Sequence, residues 1–269
     1  MPELPEVETI RRQLCAAGVE RRKITVVEID WHRLCEPYTP AQFRTKLLNR
    51  RIEKIDRHGK WLIFKLDAKE NLLVHLRMTG GFHLTRGALK KEKHDRAVIR
   101  LTGGLNLHFR DSRKFGRWKL AAVPEQLGPD ALTVTEKQFT GALTKKKKQL
   151  KALLLDQTFI AGVGNIYADE SLFEAKLNPL RNSATLTAGE QKKLYRAVRN
   201  VIHAGVKNKG TSLGDGQGNY TDLNGESGGH LEKVKVYGRA DKPCPACKTP
   251  LTKTTVTQRT TVFCPQCQK

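Results

Sequence analysis

Apolar residues recur along this chain with two periods, and the change of period divides it. Val7, Ile10, Leu14 and Ala17 fall at helical spacing and Gly18 follows, which predicts a helix over residues 5–17. The period then drops to two. Leu62, Phe64 and Leu66 alternate with Ile63 and Lys65, and Leu72, Val74, Leu76 and Met78 alternate with Leu73, His75 and Arg77. Leu105, Leu107 and Phe109 alternate with Asn106, His108 and Arg110. Short alternating runs separated by Gly-containing turns predict a β-sandwich or barrel. Met78 closes its run, so on pattern alone it reads as a core residue.

Residues 124–130, Pro-Glu-Gln-Leu-Gly-Pro-Asp, read as a linker, after which the helical period returns. Leu150, Leu153 and Leu154 share one face of a short helix. Phe159 to Asn165 is a glycine-punctuated turn, and a second helix begins near Asn165. Thr187 and Glu190 stand in capping-box spacing before a longer helix whose apolar face carries Leu194, Ala197, Val198, Val201, Ile202 and Gly205. Gly210 to Gly229 is Gly-rich, polar and expected to be mobile. The fold class this predicts is α+β. The only internal repeat is a pair of Cys-Pro-x-Cys motifs.

Those motifs, Cys244-Pro245-Ala246-Cys247 and Cys264-Pro265-Gln266-Cys267, are separated by 16 residues. Two residues between cysteines let one turn present both thiolates to one metal. Two such knuckles make a closed tetrahedral site, so one structural zinc ion is expected. A redox dithiol is the alternative, and two equal knuckles around a Thr-rich hairpin do not suit it. Thr254 to Phe263 between them is β-prone and places Arg259 near a tip, where it can meet a phosphate or simply be solvated.

Charge narrows the partner. Lys and Arg number 49 against 27 Asp and Glu, a net charge of +22, which points to a polyanion, most often nucleic acid. No apolar run reaches the roughly 18 residues that span a membrane. A basic region followed by a long apolar stretch is also absent from the N-terminus, so neither a membrane nor an exported setting is expected. Six cysteines, four of them in the two knuckles, fit a reducing, intracellular setting rather than a disulfide scaffold.

Two segments carry chemistry. The chain opens Met1-Pro2-Glu3-Leu4-Pro5-Glu6-Val7-Glu8-Thr9. Removal of Met1 leaves Pro2 with a free secondary amine, followed at once by a carboxyl group at the start of a helix. That sets a nucleophile and a proton donor on one rigid element. The second segment runs from Asp156 to Glu170, where Gly162 and Gly164 allow a tight turn ahead of Asn165. A helix start there is a ready anion site, although Asn165 reads equally well as a plain cap. The run Lys145 to Lys148 reads as a solvated face.

Together, Pro2-to-Glu8, Gly162-to-Glu170 and the four-cysteine module resemble the formamidopyrimidine-DNA glycosylase family of bacterial base-excision repair, in order and over essentially the whole chain. The related endonuclease VIII group usually has Gly where this chain has Leu4 and favours oxidised pyrimidines, so Leu4 points to the purine-lesion branch. The resemblance implies a catalytic N-terminal β-sandwich domain over residues 1–130. It further implies a helix–two-turns–helix DNA-binding domain over 131–232 and a zinc finger over 233–269. It implies Pro2 as nucleophile, Glu3 as general acid, Lys60 as a phosphate contact beside the lesion and Glu6 as a supporting carboxylate. Met78 would fill the void left by the flipped base, and Arg113 and Phe115 would face the orphan base and wedge the stack. Asn165 and Arg259 would clamp phosphate. The expected partner is damaged double-stranded DNA, the expected state a monomer, and the expected place the bacterial cytoplasm, on the nucleoid.

The chemistry suits these residue types. A glycosidic bond inside a duplex is reached only by flipping the nucleotide, at a few kcal/mol of unstacking. An α-amino group has an ordinary pKa of roughly 7.7–8.0, so a useful minor fraction of it is already neutral near pH 7. Helix dipole and Lys60 both disfavour its protonated form. A secondary amine forms an iminium, an electron sink for β- and then δ-elimination. Two other readings remain: a pyrimidine-specific glycosylase of the endonuclease VIII kind, and a non-catalytic zinc-finger DNA-binding protein, which leaves Pro2-Glu3 unexplained. The stretch Gly214 to Asn224 departs from the family in length and in placement of its aromatic residue, so no base-reading residue is assigned there.

Overall fold

The structure is a computed structural model of the 269-residue chain and describes residues 1–214 and 220–269. Residues 215–219, the centre of the Gly-rich stretch expected to be mobile, lie outside the described residues. The described residues form two compact units: residues 1–125 with 208–229, and residues 126–207 with 230–269.

Helix and sandwich form the first unit. Helix α1 (Leu4–Ala16) buries Leu4, Val7, Ile10 and Leu14, and each such side chain removed from water contributes about 2 kcal/mol. Strands β1 (Ile24–Ile29), β5 (Gly80–Arg86), β6 (Asp95–Leu101) and β7 (Leu105–Asp111) make one antiparallel sheet in the order β1-β6-β7-β5. Strands β2 (Ile52–His58), β3 (Trp61–Leu66), β4 (Asn71–His75) and β8 (Arg117–Ala121) make the other, in the order β2-β3-β4-β8. Inner faces of both sheets share one core with α1, in which Phe64 meets Phe82 and Phe109 meets Trp118 with ring centroids 5.9 and 5.5 Å apart. Helix α2 (Pro40–Leu47) adds Phe43 and Leu47 to it.

Alternation overran the end of β4. The strand stops at His75, and residues 77–79 form a turn that carries the chain into β5 of the other sheet. Arg77 takes a left-handed conformation, φ 58°, its N–H donates to His75 Nδ1 at 3.0 Å, and Gly80 N–H closes the turn on Leu76 O at 3.0 Å. Burial pushes the His75 imidazole down to about 3, with the charges of Arg77 and Lys60 acting the same way, so it stays neutral and can accept that bond. Met78 is therefore no core residue: it sits at the turn, 39 % exposed.

The second unit is helical and ends in a hairpin. It holds α3 (Glu136–Leu143), α4 (Leu150–Leu155), α5 (Asn165–Ala175) and α6 (Ala188–Lys207), followed by the hairpin of β9 (Thr252–Val256) and β10 (Arg259–Phe263). The capping box before α6 forms as expected: Thr187 N–H donates to Glu190 Oε2 at 2.8 Å and Glu190 N–H to Thr187 Oγ1 at 3.3 Å. Phe139 of α3 packs between Phe159 and Tyr195. No helix among the described residues is long and apolar enough to cross a membrane.

Candidate active site and zinc module

Pro2 and Glu3 lead directly into α1, and both are buried. Glu6, one turn on, joins Glu3 in a capping box: its Oε2 accepts the Glu3 N–H at 2.7 Å. The other oxygen of Glu6 accepts the Thr211 N–H at 2.7 Å, a bond to a residue 205 positions away in sequence. Gly210 makes this possible. Its φ is +84°, and a Cβ there would lie 2.7 Å from Glu6 Cγ and Oε1. Two turns along the same helix face, Gln13 holds the same segment from below: Nε2 donates to Asp222 Oδ2 at 2.6 Å and Oε1 accepts the Leu223 N–H at 2.9 Å. The residues flanking 215–219 are thus tied to α1 at both ends.

Lys60 follows Gly59 in the turn between β2 and β3 and is buried rather than solvated. A short relay sets this turn against α1. Glu8 Oε2 receives Arg57 Nε at 3.0 Å, and the same guanidinium donates to Gly59 O at 2.9 Å. Burial pushes the Glu8 carboxyl up, but hydrogen bonds from Arg11 and Arg12 and the charge of Arg57 outweigh it and bring the carboxyl down to about 2.

Pro2 lines a cavity of about 730 Å3 with Met78, His83, His94, Arg110 and Tyr220. That lies within the usual range for sites that enclose a small molecule, roughly 300–1,000 Å3. One wall is the loop Glu92–His94, held by Asp95, whose Oδ2 accepts the Glu92 N–H at 2.9 Å and meets His108 Nδ1 at 2.9 Å. Burial is the largest influence on the Tyr220 phenol and raises its pKa well above the ordinary value, with the charge of Glu6 adding to it. The phenol therefore stays protonated. Arg113 lies over the Phe115 ring, 4.8 Å from its centroid, and Phe115 is 42 % exposed, a large aromatic left out of the core.

In the second unit, the helix start differs by one residue from the sequence reading. Gly164 is the N-cap of α5 and Asn165 its first helical residue. Asn165 does not cap the helix: its Nδ2 donates to Thr260 O at 3.1 Å, which ties the helix start to the hairpin one residue beyond the exposed Arg259. Buried Lys151 reinforces the joint, donating to Asn165 O at 2.9 Å and pairing with Asp169 Oδ1 at 2.6 Å, while Asp169 Oδ2 accepts the Val262 N–H at 3.3 Å.

The four cysteines Cys244, Cys247, Cys264 and Cys267 bring their sulfurs within 4.8 Å of one another. Cys244 and Cys267 are 4.0 Å apart and Cys247 and Cys264 3.5 Å. Tetrahedral zinc with Zn–S bonds of about 2.3 Å needs sulfurs about 3.8 Å apart, so the donor set fits one structural zinc ion.

Three family models match in order along the chain: the formamidopyrimidine-DNA glycosylase N-terminal domain over residues 1–118, the formamidopyrimidine-DNA glycosylase H2TH domain over 127–216, and the zinc finger found in FPG and IleRS over 241–269. Curated relatives named formamidopyrimidine-DNA glycosylase include one from Herpetosiphon aurantiacus, 40 % identical over the full length of both chains. Another, from Desulfitobacterium hafniense, is 41 % identical, again over the full length of both. This chain belongs to the formamidopyrimidine-DNA glycosylase family. Solved structures agree. The MutM (Fpg) protein of Thermus thermophilus superposes with a TM-score of 0.86 at 40 % identity, over 99 % of this chain and 98 % of that one. A Lactococcus lactis Fpg variant bound to Fapy-dG-containing DNA superposes with a TM-score of 0.88 at 33 % identity over the full length of both.

In this glycosylase, sequence reasoning missed Gln13, Thr211 and the Glu8–Arg57 relay. Glu6 and Gln13, polar residues seven apart on a helix whose apolar face is otherwise core, were the available signal.

Proposed function

We propose that this chain is a bifunctional DNA glycosylase and abasic-site lyase that removes oxidised purines, 8-oxoguanine and formamidopyrimidines, from duplex DNA. The observation that carries the reading is Pro2 and Glu3 buried together at the start of α1 and Pro2 facing a cavity, in a chain of this family. With Met1 removed, the Pro2 nitrogen attacks the anomeric carbon of the flipped nucleotide and the base departs with the glycosidic electron pair. Glu3 protonates the ring oxygen as the sugar opens, leaving a cationic iminium. That iminium acidifies the adjacent carbon, so loss of its proton expels the 3′ phosphate, and a second elimination expels the 5′ phosphate. Lys60 meets a phosphate beside the lesion, and Asn165 and Arg259 grip the backbone. Met78, Arg113 and Phe115 occupy the space the base leaves. Zinc holds the hairpin that carries Arg259. The relatives are bacterial proteins, and we place this one in the bacterial cytoplasm, acting on nucleoid DNA.

Borohydride trapping on a duplex with 8-oxoguanine opposite cytosine, followed by peptide mapping, tests the reading. The expected result is one covalent adduct, at the Pro2 nitrogen. Protein shown to lack Met1 and to bind the duplex, yet giving no adduct there or on an abasic duplex, overturns it.

A further inference from the structure

Asp111 closes β7 and is fully buried, so it cannot touch DNA. Its carboxylate nevertheless connects the two exposed tips assigned above to the vacated space. One oxygen accepts the Thr79 hydroxyl, next to Met78, and the Arg113 N–H at 3.2 Å. The other accepts the Gly116 N–H at 2.7 Å, just past Phe115. Thr79 closes the triangle, its hydroxyl oxygen accepting the Arg113 N–H at 3.3 Å. Nearby space is tight: a Cβ on Gly116 would sit 2.5 Å from the Phe109 ring, and one on Gly80 2.4 Å from Leu76 O. Turns 77–79 and 112–116 therefore meet on one carboxyl group in a dry setting, where such bonds are strong and directional.

We infer that Asp111 is the positioning residue that sets Met78 and the Arg113–Phe115 pair as one rigid body, so that the filler and the wedge enter the helix together. An apolar tip that must enter a base stack at the moment of flipping gains from being ordered in advance. This inference rests on the roles proposed above for Met78, Arg113 and Phe115.

The test uses the full chain with Met1 removed and zinc bound. Asp111→Asn keeps the shape but turns one acceptor into a donor that faces an N–H or O–H. Thr79→Val removes only the Thr79 arm and serves if the first variant folds poorly. Single-turnover excision of 8-oxoguanine from a duplex is compared with strand cleavage at an abasic site in single-stranded DNA, which has no opposite base and no stack to fill. Loss of a hydrogen bond to a charged group predicts duplex excision slowed about tenfold or more. Single-stranded cleavage is expected to stay within about twofold, and in the Met78→Ala/Phe115→Ala background the Asp111 effect to shrink to less than about twofold. Equal loss on both substrates, no loss on either, or an undiminished Asp111 effect in that background overturns this inference alone. If Met78→Ala/Phe115→Ala itself leaves duplex excision unchanged, the roles assigned to those residues fall, and the inference with them.

Discussion

Glu8→Gln tests the relay between α1 and the Lys60 turn. The Glu8 carboxylate is almost wholly buried and faces three guanidinium groups, with Arg11 and Arg12 at 2.8 Å and Arg57 at 3.0 Å. The Arg57 side chain is buried too, so the substitution removes the anion from a buried ion pair, a change that costs about 3–5 kcal/mol. The titration gives an independent magnitude. The carboxyl falls from 4.5 to about 2 on folding, and a depression of that size corresponds to about 3 kcal/mol at pH 7. A depressed folded-state value stabilises above the unfolded value, so the contribution is complete above pH 4.5 and is lost as pH falls towards 2. The assay is urea unfolding followed by tryptophan fluorescence. All three tryptophans, Trp31, Trp61 and Trp118, lie in residues 1–125, so the signal reports the first unit. At pH 7 the variant should be about 3 kcal/mol less stable, and by pH 3 the gap should narrow to about 1.5 kcal/mol. A gap below about 1 kcal/mol at pH 7, or one that does not narrow on acidification, refutes the argument.

Glu3→Gln should abolish base excision from 8-oxoguanine duplexes but keep some cleavage at a preformed abasic site; equal loss of both activities contradicts its assignment as the general acid. Gly210→Ala should destabilise the tryptophan-reported unit by about 1–2 kcal/mol for the left-handed backbone alone. It should also slow excision, because the new methyl group meets the Glu6 carboxylate; unchanged single-turnover rates argue that the Glu6–Thr211 bond is dispensable. Chelation should release one zinc ion per chain and weaken duplex binding; unchanged affinity after verified metal loss removes the hairpin from the DNA contact.

How much could be read in advance depended on range. Period changes located α1, the sandwich strands β3, β4 and β7, and α6, because each records a single element's burial pattern. Cysteine spacing located the zinc ligands for a similar reason: one turn brings each pair together. Errors came where a neighbour distant in sequence, or one backbone angle, decided the outcome. Met78 continued an alternating run, yet the left-handed Arg77 ended the strand before it. Asn165 had the chemistry of a cap, but Gly164 took that position and the Asn165 amide turned to Thr260. Gly210 looked like one more loop glycine; its reason for being glycine is a carboxylate near the other end of the chain. Asp111 sits between the basic residues Arg110 and Arg113 in sequence, and nothing in the pattern marks its burial between two turns.

The first unit is discontinuous in sequence, and this matters while the protein is being made. Residues 1–125 leave the ribosome well before residues 208–229 exist. Until then, Glu6 and Gln13 have no Thr211 N–H, Asp222 carboxylate or Leu223 N–H to bind. The nascent sandwich waits without these bonds, while more than eighty residues of the second unit are translated in between. Its closure is a late, long-range event of the kind that slows folding. The residues that complete the surroundings of Pro2 thus arrive only when most of the chain has been synthesised.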